Sequence, residues 1–343
     1  MVNKVYVVTP RGFCAGVEMA IKSLIWLLKI YDETIYCYHE IVHNDWIVEK
    51  FRKKNVVFVN NPSEIPKNSI VMLSAHGTAP NVENEFNMIA LNNINSVCPL
   101  VTKVHHEAKT YAKKGKNIIY IGHKGHDESV GTMGVAPKSM NLIENLNDLD
   151  SLEETNKEVA LLAQTTLALS EWEPMMLKAK EKFPNLILPR KNDLCYATTN
   201  RQKAILNISK KVDCVLVVGS ESSSNTNALV ESIRNINKKA YRVEKSNDLI
   251  NIELENKNIA ITAGASAPDH MLQDIIKYIN PKKIEIYNDA TETEYFPLPV
   301  DLRNNINDLS NFIKLMFPNN DTKSYNGIKN DKSWSATEAL ISL

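Results

Sequence analysis

The feature that most constrains this chain is an alternation. Short runs rich in valine and isoleucine recur as VYVV, TIYCY, VVFV, IVML, IIYIG, VALLA, CVLVVG, IAITAG and IEIY. Brief, apolar runs of this kind mark strands buried on both faces. Between many of them lie segments of helical period: GVEMAIKSLIWLLKIY, NVENEFNMIALNN, TKVHHEAKTYAKKG, SEWEPMMLKAKEKF, NRQKAILNISKKV and PDHMLQDIIKYIN. Strands and helices in alternation predict an α/β fold of parallel sheets covered by helices.

The chemically rich segments follow the strands directly: TPRGFC, SAHGTAP, GHKGHDE, AQTT, GSESSSN and AGASAPD. Ligands of open parallel sheets gather at the carboxyl ends of strands, so six such segments predict several small sheets turning those edges toward a shared centre. A chain of 343 residues has room for two or three compact units. Boundaries near residues 97 and 194 give three small parallel-sheet α/β domains, 1–97, 98–194 and 195–288. Beyond Asn288 the stretch DATETEYFPLPVDLR reads as extended. The remainder to Leu343 is polar and weakly periodic, which predicts a poorly ordered tail with SWSATEALISL as an appendage. Asparagine-rich pieces such as LNNIN, ENLND and RNINKK read as compositional bias.

Lysine plus arginine equals aspartate plus glutamate at 40 each, so the balanced charge gives no argument for nucleic acid as the main partner. The longest apolar run, SLIWLLKIY, is broken by Lys29 and falls short of the roughly 20 residues that cross a bilayer. A soluble protein with no membrane partner is expected. After Met1 the chain enters VYVV within a few residues, which leaves no room for a targeting peptide. Five scattered cysteines do not form the framework of a secreted disulfide protein and point to a reducing compartment.

Cys14, Cys98 and Cys195 share a setting: each lies at or just after a strand end and shortly before a helix. Cys37 and Cys214 sit inside apolar runs, where a free cysteine is ordinarily a small buried hydrophobe. The first three lack the C-x-x-C pairs of zinc ribbons and the close spacing of ferredoxins, yet one ligand per domain would build a three-thiolate site. Three thiolates on a four-iron cluster leave one iron open to a substrate oxygen. Zinc with three cysteines and water is the competing assignment, and it fits hydrolysis better than reduction.

His43, His76 and His126 sit in small polar loops rather than on apolar faces. With the SSSN and GAS loops they offer imidazole, hydroxyl, amide and backbone donors, a combination that fits a diphosphate. SSSN could be a flexible serine linker, but its place between CVLVVG and TNALVESIRNI argues for an anchored helix-start loop. Glu128 lies in the histidine and glycine cluster GHKGHDESVGTMG. A carboxyl group in a closed pocket can have its pKa raised enough to supply a proton to a leaving hydroxyl. Thr165 of AQTT is a candidate relay hydroxyl.

The ordered set RGFCAGV, EIVHN, SAHGT, VCPLV, IGHKGH-x-E-x-x-GTMG, AQTT, LCYATTNRQ, SSN and TAGASAPD resembles the 4-hydroxy-3-methylbut-2-enyl diphosphate reductase family, also called LytB or IspH, over roughly residues 4 to 290. The resemblance implies a trefoil of three α/β domains around a central 4Fe-4S iron-sulfur cluster, isolable as a 3Fe-4S form, on Cys14, Cys98 and Cys195. It implies diphosphate contacts from His43, His76, His126, Ser223, Ser224, Asn225 and Ser266, protons from Glu128, and Thr165 and Thr199 near the substrate. The implied reaction removes the hydroxyl of a small allylic diphosphate reductively, giving isopentenyl and dimethylallyl diphosphate in the last step of a non-mevalonate route. Electrons come singly from a ferredoxin or flavodoxin. The implied setting is a bacterial-type cytoplasm, or a plastid-type organelle after removal of a transit peptide. The family often has proline where Asp127 stands, a departure that bears on the loop holding Glu128, and the asparagine-rich tail has no counterpart.

Two rivals use the same features. A zinc-dependent hydrolase of a phosphorylated metabolite keeps the cysteines and histidines without redox chemistry. A non-catalytic nucleotide or phosphate binder needs no metal, but the chain has neither G-x-x-x-x-G-K-[ST] nor a strand-linked G-x-G-x-x-G.

Overall fold

The computed structural model describes residues 1–189, 192–316 and 331–343. The predicted alternation is present. β1 (Lys4–Thr9) leads to α1 (Ala15–Ile30), then β2 (Ile35–Tyr38), α2 (Asp45–Arg52), β3 (Val56–Val59), β4 (Ser69–Leu73), α3 (Pro80–Ile89) and β5 (Ala90–Asn95). α4 (Pro99–Lys113) precedes β6 (Asn117–Ile121), α5 (Asp127–Val135), β7 (Met140–Ile143), α6 (Leu146–Ser151), β8 (Val159–Ala163), α7 (Leu169–Lys182) and β9 (Leu186–Ile187). The chain continues through α8 (Tyr196–Ser209), β10 (Cys214–Val218), α9 (Ser224–Arg234), β11 (Lys239–Val243), β12 (Asn258–Ala263), α10 (Asp269–Ile279) and β13 (Lys283–Asn288). Two further helices, α11 (Val300–Met316) and α12 (Ala336–Ile341), lie near the carboxyl end.

These strands form three sheets, ordered β11-β10-β12-β1-β13, β3-β2-β4-β5 and β7-β6-β8-β9. All pairings recorded among them are parallel. The chain forms two compact units, one of Met1–Cys14 with Leu100–Thr293 and one of Ala15–Pro99 with Glu294–Leu343. The first holds the five-stranded sheet and the β6 sheet, and the second holds the β2 sheet. The boundaries therefore differ from the contiguous 1–97, 98–194 and 195–288 division: β1 pairs with β12 on one side and β13 on the other. A two-sided apolar strand needs neighbours on both edges, and sequence order says nothing about which sheet supplies them.

Alternation along each strand explains the cores. In the five-stranded sheet Val5, Val7, Leu216, Val218, Ile259 and Ile261 pack on one face, while Val8, Val215, Val217 and Ala260 pack on the other. The β6 sheet is likewise covered on both sides, by Ile119, Ile121, Leu161 and Trp172 on one face and Ile118, Tyr120, Ala160 and Leu162 on the other. Period-2 side chains buried on both faces are what a parallel sheet under helices demands.

Two local expectations are corrected. The segment NVENEFNMIALNN is helical only to Ile89; β5 begins at Ala90 and pairs with β4. Its asparagines are structural, since Asn95 Nδ2 donates to Glu83 at 2.7 Å and Asn93 Nδ2 to Asn87 at 2.8 Å. The second concerns the tail. Residues 317–330 lie outside the described residues, but the expected extended and poorly ordered course does not hold at 300–316, which form α11 with Leu302 and Ile306 buried, or at 331–343. Here α12 starts on a capping box between Ser335 and Glu338, and Ala336 N donates to the Glu18 carboxylate of α1 at 2.6 Å. Among the described residues no helix is long and apolar enough to cross a membrane.

Candidate active site

In the first unit, adjacent parallel strands bring their following loops together. β6 and β8 pair through Ile121 and Ala163, which sets GHKGHDE beside AQTT. Glu128, in the first turn of α5, is 2 % exposed. Its Oε1 accepts from Thr165 N at 2.7 Å and its Oε2 from the Thr165 hydroxyl at 2.9 Å. Burial pushes its carboxyl up to about 7, against the two Thr165 donors that pull it down and with a smaller push from Asp193. A burial-raised carboxyl in a cleft is a physical mark of acid-base chemistry. His126 caps α5, and its Nδ1 accepts from Glu128 N at 3.2 Å. That contact places the proton of a neutral ring on Nε2, which makes this edge a donor.

Asp127 occupies the first position of α5 after the extended His126 (φ −67°, ψ 136°). The first helical position accepts proline or an acid equally well, one by its fixed φ and the other by the helix dipole, and the residue before a proline is ordinarily extended. The backbone around Glu128 therefore suits either residue.

The five-stranded sheet contributes three loops to the same unit. Ser223 caps α9, accepting from Thr226 N at 3.3 Å, and the Ser266 hydroxyl lies 3.4 Å from it. This anchors the SSSN loop as expected of a helix start. Ser224 Oγ lies 2.9 Å from Thr166 Oγ1 and accepts from Gln164 Nε2 at 3.2 Å. Asn225 accepts from Ala265 N at 2.9 Å and donates to Thr198 Oγ1 at 3.4 Å. Thr199 is half-buried, and its hydroxyl bonds back to its own helix start, at the Cys195 and Tyr196 carbonyls at 3.3 and 3.2 Å.

Gly264, at the end of β12, exists for the α9 start. A Cβ there would lie 2.1 Å from the Thr226 hydroxyl, a distance no packing tolerates. Gly264→Ala is expected to push the first turn of α9 away, costing about 1–3 kcal/mol, which thermal unfolding measures.

Cys195 caps α8: its Sγ accepts from Thr198 N at 3.2 Å and lies 3.0 Å from Thr198 Oγ1, and its own N donates to the Thr165 carbonyl at 3.0 Å. Thr165 thus touches both Glu128 and the Cys195 loop. Burial pushes the Cys195 thiol up to about 11, and neighbouring Cys14 adds to the push. Cys14 N donates to the Ala265 carbonyl at 3.3 Å. Two neighbouring, half-buried thiols, one of them at a helix start, fit a metal or metal-sulfur group, whose positive charge would supply what burial withholds from the thiolate.

In the second unit, pairing of β2 with β4 brings His43 and His76 together as stacked rings, centroids 4.1 Å apart and planes 17° from parallel. Cys98 N donates to the Ala75 carbonyl at 3.0 Å, so this thiol's loop joins the His76 loop. Cys37 is buried and its thiol raised by desolvation; Cys214 is also buried. Both match the reading of small core residues. None of the five cysteines is in a disulfide.

Sequence reasoning missed three connectors. Gln164 is fully buried and uses its whole amide: Oε1 accepts from His123 N at 2.9 Å and Ser129 Oγ at 3.2 Å, and Nε2 donates to Thr166 and Ser224. Asp193, two residues before Cys195, accepts from Ala163 N at 3.0 Å and Lys103 Nζ at 2.7 Å. Arg201 is buried in α8. Gln164 and Arg201 lie in the motifs AQTT and LCYATTNRQ, and Asp193 stands just ahead of the second; nothing in residue type distinguished them from surface polar groups.

Comparison with known proteins identifies a family. The family model described as LytB protein matches residues 5–280. A Rhodopirellula baltica protein named 4-hydroxy-3-methylbut-2-enyl diphosphate reductase is 41% identical over 305 residues, covering 88% of this chain and 96% of that one. A protein of the same name from Buchnera aphidicola is 42% identical over 304 residues, covering 85% and 96%. Among solved structures, the E-1-hydroxy-2-methyl-but-2-enyl-4-diphosphate reductase from Plasmodium falciparum aligns with a TM-score of 0.85 at 35% identity, over 90% of this chain and 99% of that chain. With fold, ordered loops and relatives in agreement, this chain belongs to the LytB family.

Proposed function

We propose that this chain reductively removes the hydroxyl of 4-hydroxy-3-methylbut-2-enyl diphosphate, giving isopentenyl and dimethylallyl diphosphate as the last step of the non-mevalonate route. In balance, the allylic alcohol takes two electrons and two protons; the C–O bond breaks, one proton leaves with the hydroxyl as water and the other ends on carbon. The relatives named above carry this activity in their names. The observation that carries the reading in this chain is Glu128: a buried carboxyl with its pKa at about 7, held on both oxygens by Thr165, whose carbonyl accepts from the Cys195 amide.

Cys14, Cys98 and Cys195 are the residues that would hold a 4Fe-4S cluster, which would supply single electrons and Lewis acidity to the reaction. The protein's own work is binding, orientation and proton delivery. His126 presents Nε2–H, and the Ser223, Ser224, Asn225 and Ser266 hydroxyl and amide groups surround the α9 start, where backbone N–H groups favour an anion. His43 and His76 complete the proposed diphosphate contacts, with Thr199 near the substrate. Glu128 is protonated over the lower half of the physiological range and re-protonates readily, as a donor to a leaving hydroxyl must. Thr165 holds its carboxyl in place and is the candidate relay. A ferredoxin or flavodoxin is the proposed electron donor, and a bacterial-type cytoplasm or plastid-type organelle the proposed setting.

Anaerobically purified protein tests this directly. It is expected to be brown, to contain iron and acid-labile sulfide, to bleach on reduction and to convert the allylic alcohol diphosphate to both products with a chemical one-electron donor. A colourless protein with stoichiometric zinc that releases phosphate from the same substrate would overturn the proposal in favour of hydrolysis.

A further inference from the structure

Arginine is almost never fully buried unless paired, and Arg201 is 1% exposed, the largest of the fully buried side chains among the described residues. It lies in α8, the helix that Cys195 caps. Its Nη1 donates to the Gly12 carbonyl at 2.6 Å, and its Nη2 and Nε hold the Glu292 carboxylate at 2.9 and 3.4 Å. Gly12 sits two residues before Cys14 at φ +73°, a left-handed turn that side-chain-bearing residues rarely adopt. One guanidinium therefore reaches from the helix of one thiol to the loop of the other.

Neutralising the charge does not account for this contact. Glu292 already supplies a carboxylate, so the third arm of the fork is spent on a backbone oxygen that needs no cation. A second route between the two thiols runs from Cys14 N to the Ala265 carbonyl, from Ala265 N to Asn225, from Asn225 to Thr198 and so to Cys195 Sγ, through contacts of 3.3, 2.9, 3.4 and 3.0 Å. That chain is longer and its bonds are neutral. The Arg201 bond is short and charge-assisted, the stronger kind.

We propose that Arg201 is a positioning residue that fixes the spacing between the loops carrying Cys14 and Cys195, with Glu292 orienting its guanidinium. The assignment rests on the reading of these two thiols as metal ligands, but the spacing itself is measurable without metal. Orienting partners of metal ligands are ordinarily worth 10–100-fold in metal affinity or activity; Arg201 would act on two ligand loops at once. Lysine substitutes only in part, because a single ammonium does not reach a carbonyl and a carboxylate in the fixed directions of a fork.

The test uses the full chain as wild type, Arg201→Met, Arg201→Lys and the charge-free pair Arg201→Met/Glu292→Gln, which removes the carboxylate together with its partner so that loss of folding does not obscure the result. Reduced apoprotein is treated with a short bifunctional thiol reagent, and the Cys14–Cys195 cross-link is quantified by peptide mapping. Its yield is expected to fall severalfold in all three variants. After reconstitution with iron and sulfide, iron release to a chelator is expected to be about 10–100-fold faster in Arg201→Met and in the charge-free pair, and intermediate in Arg201→Lys. Wild-type cross-linking and iron release in the charge-free pair would overturn the proposal. If wild-type apoprotein cross-links yet takes up no iron or sulfide, the cluster reading fails, while the cross-linking arm still decides the role of Arg201 in spacing the two thiols.

Discussion

Glutamine in place of Glu128 is expected to lower turnover by about 10²–10⁴-fold, the ordinary worth of a positioned general acid, while iron content and substrate affinity stay near wild type. The substitution keeps shape and volume. Its amide oxygen still accepts from Thr165 N, and the Thr165 hydroxyl can rotate to accept from the new N–H, so the pocket loses a transferable proton and little else. The wild-type pH profile follows from the same group. With the carboxyl at about 7, turnover falls as the pH rises through that value, because the acid form is the one that donates. Asp193, Thr165 and Tyr120 are the neighbouring groups, and of these Asp193 pushes the carboxyl pKa up while Thr165 pulls it down. The folded-state value lies above the ordinary 4.5, so the stability linked to this proton is complete below 4.5 and is lost as the pH climbs toward 7. Glu128→Gln should flatten both the pH–rate limb and this slope in stability. Wild-type turnover in the variant would remove Glu128 from the mechanism.

The second large effect is one of stability, at the carboxyl end. Glu18, Lys22, Trp26 and Lys29 fall on one stripe of α1, at helical spacing, and each meets the last residues of the chain. Lys22 Nζ donates to the Asp331 carbonyl at 2.9 Å and lies 3.4 Å from its carboxylate, with both side chains 3% exposed. Tyr295 donates to the same carboxylate at 2.5 Å. Trp26 and Trp334 meet edge to face at 5.9 Å, and Lys29 lies 4.8 Å from the Trp334 ring. Removing one partner of a buried ion pair leaves an uncompensated charge, whereas removing both with apolar residues of similar size is nearly neutral. Asp331→Ala is accordingly expected to cost about 3–5 kcal/mol in urea unfolding, and Lys22→Met/Asp331→Leu to recover most of it. A double variant as unstable as the single one would show that the charge pair is not what holds this segment.

Much of the fold was legible because its signals are local. VALLA and CVLVVG read as two-sided strands since every residue is apolar, and each of these runs is a buried strand. β5 was not legible, because ALNNIN lacks the apolar signature: the Asn93 and Asn95 amides donate to α3 side chains that only the folded chain supplies. The tail was misread for a related reason. Asp331 and Trp334 look like solvated and incidental residues until Lys22 and Trp26 are placed opposite them. The candidate site shows the same divide. Ser223 as a helix cap and Glu128 in a histidine-glycine loop follow from type and position, but Gln164, Asp193 and Arg201 act through partners 30 or more residues away in sequence, as with Asp193 and Ala163 or Arg201 and Gly12.

By itself, the sequence determined the parallel α/β class, the loops that carry chemistry and the family, since these depend on hydrophobic period and on ordered motifs. Tertiary structure alone decided that β1 joins the last sheet, that Thr165 touches both the Glu128 carboxyl and the Cys195 loop, and that a buried arginine spans two thiol loops. Each of these is a non-local contact, and its energy depends on burial and direction in space, which residue order does not encode directly.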